Sequence, residues 1–185
     1  VYKRQSEDYS DYMTCDEALD KLYVGLKNRE EYIELKYYVG EEEQKRASVS
    51  WVSMIHDDEP DMGDYLKANV DYAMPVIYNS EYVGDRYYIH EKFRYVYFST
   101  LEQEKEVDAE VKRVLDELDV YDADNLIKVK AVYKYVTDNV AYDGSCMNFS
   151  TYSALIGKKT VCHGYASLVY RLLKELGVDV RMVHG

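Results

Sequence analysis

Apolar positions recur first at helical spacing, then at strand spacing, then at helical spacing again. Thr14 followed by Glu17 reads as a capping box, and Leu19, Leu22, Tyr23 and Leu26 form the stripe of a helix reaching about Asn28. From Tyr32 to Val39, Tyr32, Glu34, Lys36 and Tyr38 alternate with Ile33, Leu35, Tyr37 and Val39, which predicts a half-buried strand. A helical stretch from about Gln44 to Ile55 is a weaker prediction, because Val49, Ser50 and Val52 are middling helix formers. Pro60 ends it, and a short helix is expected from Met62 to Tyr72.

Pro75 opens a Tyr-rich β region. Val76-Ile77-Tyr78, Arg86 to Ile89 and Phe93 to Phe98 read as two or three antiparallel strands, broken near Asn79-Ser80 and Gly84-Asp85. Residues 1–99 are therefore expected to form a small α+β unit. The rest, 100–185, turns helical. Thr100 caps a segment whose face is Leu101, Val107, Val111, Val114, Leu115 and Leu118. Asp124 caps the next, with Leu126, Val129, Tyr133, Val136 and Val140 at heptad-like spacing as its core face. Tyr142 to Ser145 reads as a loop, Thr151 to Ile156 as a short helix, and Gly157 to Lys159 as a turn. The last helix starts at about Cys162 and buries Tyr165, Leu168, Val169, Leu172, Leu173 and Leu176. Gly177 suits its C′ position, and Val178 to Val183 reads as a strand.

Charge narrows the function classes. The 185 residues carry a formal net charge of −12, and that field repels phosphate backbones and anionic lipid. Nucleic acid is not expected as a partner, nor is membrane insertion, since no apolar run is long enough to span a bilayer. The acidic runs Glu41–Glu43 and Asp57–Glu59 read as solvated loops. Twenty-two tyrosines stand against three phenylalanines and one tryptophan. They suit half-buried strands better than a sugar-stacking surface. Three cysteines, Cys15, Cys146 and Cys162, are too few for a disulfide framework, although Cys15 and Cys146 could bridge in a secreted protein. The chain starts at Val1 rather than Met, and both ends read as cut.

Cys162 is the candidate for chemistry. At the first turn of a helix the N–H groups are unpaired and the macrodipole is positive, which favours a thiolate. The cysteine's own N–H can face a developing oxyanion during acyl transfer. Gly164 is expected to let a substrate or another chain approach that turn. A lone cysteine near a helix start is more often packing than nucleophile, so the wider string matters. Lys130 to Val136, Asn139-Val140-Ala141-Tyr142-Asp143, Tyr152-Ser153-Ala154-Leu155, Lys159-Thr160-Val161-Cys162-His163-Gly164-Tyr165-Ala166 and Leu173 to Arg181 follow in order. Over residues 124–185 this resembles the bacterial transglutaminase-like proteins of the papain-like cysteine-enzyme superfamily.

The resemblance implies an α+β fold: a small N-terminal α+β unit with antiparallel strands, then the helical, nucleophile-bearing half of a transglutaminase-like (papain-like) domain. It implies Cys162 as nucleophile, its N–H in the oxyanion site, a protein or peptide substrate and no cofactor. The family places a catalytic His and then an Asp on later strands, and neither string occurs before Gly185. His184 stands where the family has no catalytic group. His163 adjoins Cys162, but consecutive helical side chains diverge by about 100°, which suits it poorly as a base. Cys162, His163 and His184 have the wrong spacing for a closed zinc site, so no metal is expected. His56 and His90 have no partner motif, and Tyr152 and Tyr165 read as packing. The N-terminal unit resembles the one that precedes this domain in some secreted or surface-attached bacterial proteins.

Two functions stay open on these residues. One is thiol acyl transfer on an amide, by hydrolysis or cross-linking, with the 185-residue chain inactive by itself. The other is a surface-attached binding module with this fold and no triad. A third, a structural protein with a fortuitous match, predicts an unremarkable Cys162. An exposed Val178–Val183 strand would also offer an edge for self-association, and the expected location is extracellular or cell-surface.

Overall fold

The computed structural model describes residues 8–40 and 62–183. Glu41–Glu43, Gln44 to Ile55, His56, the 57–59 run, Pro60 and His184 lie outside the described residues. The chain divides into two compact units, one within Val1–His56 and Tyr72–Val96, the other within Asp57–Asp71 and Tyr97–Gly185.

In the first unit, α1 (Cys15–Lys27) starts at the expected capping box: Glu17 N donates to Thr14 Oγ1 at 3.3 Å and Thr14 N to Glu17 Oε2 at 2.8 Å. Its buried stripe is Ala18, Leu22, Tyr23 and Leu26. Strand β1 (Tyr32–Gly40) alternates as its sequence predicts, with Ile33, Leu35, Tyr37 and Val39 buried. It runs antiparallel to β3 (Arg86–Tyr97), which is central in the order β1-β3-β2. Met13 covers the outer edge of β1, donating to the Lys36 carbonyl at 3.0 Å and accepting from Tyr38 N at 3.1 Å.

Strand β2 (Val70–Val83) corrects two expectations. It runs through Asn79-Ser80 without a break. Both residues are exposed on a strand at the sheet's edge, so their polar side chains stay hydrated while the ladder to β3 holds the backbone. The helix expected from Met62 to Tyr72 is only α2 (Gly63–Ala68), capped by Asn69. Val70 is already extended, as β-branched and aromatic residues favour beside a ladder.

The unit's core holds a poorly satisfied acid. Glu91, opposite Leu35, is 3 % exposed, and the nearby Tyr37 hydroxyl, without forming a well-shaped hydrogen bond to it, is the one group that offsets its burial. Burial disfavours the carboxylate and pushes Glu91 up to about 7.

The second unit takes in α2 as well as the later helices. Helix α3 (Leu101–Leu118) begins at a Thr100 capping box and buries Val107, Val111, Val114 and Leu115. Helix α4 (Asn125–Asn139) begins at Asp124, whose Oδ1 accepts from Ile127 N at 3.0 Å. Its core face differs from the expected one. Val136 and the capping Val140 are buried, but their partner is Val132, and Leu126 and Tyr133 are 63 % and 67 % exposed. Spacings of four and of seven both fit an apolar stripe, and a contact decides between them. Lys128 Nζ donates to the Leu176 carbonyl at 2.9 Å, which fixes the helix's rotation.

Two residues of β4 (Ala141–Tyr142) pair in parallel with β5 (Lys159–Thr160), flanking the short α5 (Thr151–Leu155). Helix α6 (Cys162–Glu175) then buries Leu168, Leu172 and Leu173 against Val114, Leu115, Val132, Val136 and Leu155. Each such side chain contributes roughly 1.5–3 kcal/mol. Gly177, at φ +72, ends α6 as expected: its N–H meets the Lys174 carbonyl and Val178 N the Leu173 carbonyl, the paired bonds of a Schellman motif.

Val178 to Val183 is a further correction. It forms no strand, because no described residue offers it a ladder. Asp64 of α2 holds it instead: Arg181 Nε and Nη2 donate to the carboxylate at 2.7 and 3.1 Å, and Met182 N at 2.9 Å. Burial alone would raise the Asp64 carboxyl, but these donors and nearby Lys67 bring it below its ordinary value. The strand edge expected for self-association is therefore not formed.

Candidate nucleophile site

Cys162 is the first residue of α6 and is exposed. Val161 precedes it as N-cap with φ −90 and ψ −179, and valine has no side-chain acceptor to cover the helix end. The first helical bond of α6 comes from Tyr165 N to the Val161 carbonyl at 3.2 Å. The N–H groups of the opening turn, Cys162's own included, are left for an acceptor outside the helix.

Gly164 is needed here, but for a different neighbour than expected. A Cβ at this position would stand 1.9 Å from Thr160 Oγ1 and 3.0 Å from the Ser150 carbonyl. The close approach is by the chain's own β5 and the start of α5.

The segment before α6 is organised by a residue that reads from sequence as part of an ordinary loop. The Asp143 side chain is wholly buried. Its Oδ1 accepts from Ser145 N at 3.0 Å and Ser145 Oγ at 2.7 Å, with Lys159 Nζ at 3.1 Å. Its Oδ2 accepts from Met147 N and Asn148 N, both at 3.1 Å, and from Asn148 Nδ2 at 2.8 Å. Hydrogen bonding, from Ser145 above all, holds this carboxyl far below the usual carboxylate range despite its burial.

Cys162 opens onto a concavity of about 680 Å³ whose walls include Tyr133, Tyr165, Val169, Val180 and Met182. Tyr165 is positional, as expected: its hydroxyl donates to the Val140 carbonyl at 2.6 Å and its ring stacks near Tyr142. His163 also borders the concavity, yet its Nε2 lies 2.7 Å from the Ala68 carbonyl. A carbonyl only accepts, so this nitrogen carries the proton and is committed to α2. The ring rests beside Phe98 at 5.3 Å between centroids.

Residues 112–185 are a transglutaminase-like superfamily segment. The family model matches the chain over that span, starting earlier than the motif string from 124. No curated protein matches the chain. The match supports a papain-like cysteine-enzyme fold for this segment, which starts within α3 and takes in α6.

The structure gathers some sequence candidates and separates others. Cys162 and His163 share the mouth of the concavity in the transglutaminase-like segment. His90 belongs to the first unit, where its Nε2 meets Glu34 Oε1 at 2.8 Å. Tyr152 packs on the second core, its hydroxyl 3.4 Å from Glu106 Oε2. All three cysteines are free thiols. Among the described residues, no cluster of three His, Cys, Asp or Glu could hold a metal ion, and no helix is long and apolar enough to cross a membrane.

The roles of three residues important to the site were not read from the sequence, although Asp143 belongs to the string that carries the resemblance. Asp143 has a visible signal, an Asp followed by Gly-Ser, which ordinarily marks a turn. Asp64 gives none. Arg171, 6 % exposed on the inner side of α6, donates to Asp108 Oδ1 at 2.6 Å and lies over the Tyr65 ring. A charge inside an apolar stripe reads as a solvated position until the partner is known.

Proposed function

We propose that the protein is a thiol acyl-transfer enzyme acting on amides of proteins or peptides, with Cys162 as its nucleophile. The observation that carries this reading is the exposed thiol on the uncapped first turn of α6, within a transglutaminase-like segment and at the mouth of an apolar concavity. In the reaction, Cys162 Sγ gives its proton to a base and attacks the amide carbonyl carbon. The tetrahedral oxyanion takes the Cys162 N–H as donor. The C–N bond then breaks, the amine leaves with the transferred proton, and a thioester remains for water or a second amine. His163 Nε2 donates to the Ala68 carbonyl, which leaves Nδ1 as the ring's acceptor, but no hydrogen bond joins that ring to Cys162 among the described residues. No described group is therefore placed to take the proton from Sγ.

The lack of a described base bonded to Cys162 favours a second reading, a binding module that keeps the fold without the chemistry. An extracellular or cell-surface location goes with either reading, supported by the acidic balance and by the resemblance of the N-terminal unit to those of secreted proteins.

The two readings part on acylation. p-Nitrophenyl acetate should acylate Cys162 selectively, giving a hydroxylamine-labile adduct by intact-mass spectrometry that disappears in Cys162→Ala. Random acylation of all three thiols would leave the binding module as the better account. The isolated 185-residue chain should not turn over peptide amides; hydrolysis abolished by Cys162→Ala would contradict that expectation.

A further inference from the structure

A buried carboxylate is stable only when donors surround it, and the donors around Asp143 are the loop itself. Backbone N–H groups of Ser145, Met147 and Asn148 converge on the two oxygens, and Cys146 takes a left-handed conformation (φ +55) to let them do so. The loop's shape is therefore set by one side chain. Its last member, Asn148, faces both ways. Its N–H and Nδ2 are spent on Asp143, while its carbonyl accepts from Thr160 Oγ1 at 2.8 Å and from Val161 N at 3.0 Å. Thr160 is in turn the residue packed against Gly164, and Val161 is the cap that launches α6.

We propose that Asp143 is the positioning residue of the Cys162 turn, acting through the Asn148 carbonyl on Val161 and Thr160. The inference rests on Cys162 being the working thiol. Asp143 touches no reacting atom. What it controls is where α6 starts, and so where the free N–H groups lie relative to the sulfur. The short side chain matters, because glutamate would push the loop outward by one methylene. The charge matters too: asparagine would turn an NH2 group toward N–H donors that need an acceptor.

Electrostatics and positioning predict opposite signs for Asp143→Asn. Removing a nearby negative charge would by itself favour the thiolate and speed its alkylation. Loosening the turn scatters the N–H groups that favour the thiolate and slows it.

The test is carbamidomethylation by iodoacetamide, resolved by thiol with peptide mass spectrometry across a pH series. In folded Asp143→Asn the Cys162 rate at pH 7 should fall about tenfold, with its pH–rate profile moved to higher pH and the Cys15 rate unchanged. Val114→Ala loosens the same core without touching the relay, and should leave the Cys162 profile where it is. If circular dichroism shows Asp143→Asn unfolded, Ser145→Ala carries the test, with a loss of about threefold for the one donor removed. A Cys162 rate within twofold of wild type or above it in folded Asp143→Asn overturns the proposal. So does an unchanged rate in Ser145→Ala, or an equal shift in Val114→Ala. Each comparison is with wild type, so it decides even if wild-type Cys162 reacts no faster than Cys146. That latter result would sink only the nucleophile reading.

Discussion

Glu91 in the first unit and Asp143 in the second are both buried carboxylates, and they behave in opposite ways. Glu91 sits buried in the first unit with only the Tyr37 hydroxyl to offset its burial, and its carboxyl is pushed up to about 7. Asp143 sits in the second, is wholly buried, and is held far below the usual carboxylate range by side-chain and backbone donors. Burial is common to both, so it decides neither. What differs is whether the local backbone can turn its N–H groups toward the acid. In β3 those groups are committed to the ladder. In the loop from Asp143 to Asn148 they are free to converge.

The largest expected effect comes from removing the satisfied acid. Asp143→Ala strands three loop N–H groups and Asn148 Nδ2 without their acceptor, and should lower the thermal midpoint of the second unit more than any other change described here. A midpoint equal to wild type would mean the loop holds its shape without the carboxylate. Next comes Glu91→Gln. An acid whose folded value is raised binds its proton more tightly when folded. Its stability contribution is therefore full below the ordinary value of 4.5 and declines as pH rises through about 7. At pH 8 the amide should stabilise the first unit by about 3 kcal/mol, and at pH 4 by almost nothing. Urea unfolding at the two pH values checks this, and a pH-independent difference would contradict it.

Smaller effects sharpen the contrast around the site. Gly164→Ala forces a methyl against Thr160 and should cost about 1–3 kcal/mol, by overpacking alone. Thr160→Ala in the same background should recover part of it by removing the Oγ1 that the new methyl meets. Thr100→Ala, whose hydrogen bonds run to Gln103 and to neither acid, should cost only about 1 kcal/mol for the lost cap. If it cost as much as Asp143→Ala, helix capping and not the loop would dominate the second unit.

Most of the local structure was legible where one residue's chemistry suffices. The caps at Thr14, Thr100 and Asp124, the alternation in β1, the stripe of α6 and Gly177 at its end each follow from side-chain geometry within a few residues. What was not legible depended on a partner distant in sequence. The face of α4 turns on Lys128 reaching Leu176. The supposed strand at Val178 to Val183 lacks a ladder and is tied by Arg181 to Asp64, a contact across 117 positions. At the site, Cys162 could be read because a helix start has known electrostatics and the surrounding string resembles a family. Asp143 was read only as a member of that string, and its role was not, because an Asp in a Gly-Ser loop looks the same whether it faces water or organises the loop.

The central claim is that Cys162 differs from other thiols because of where it stands. Cys146 supplies the control within the same unit, since it is also exposed but begins no helix. The most direct measurement is the ratio of their second-order alkylation rates at pH 7 in the wild-type protein. A ratio of about ten or more in favour of Cys162 is expected for a thiol at an uncapped helix N-terminus. Equal rates would contradict the account, and would leave α6 with a transglutaminase-like shape and an ordinary cysteine.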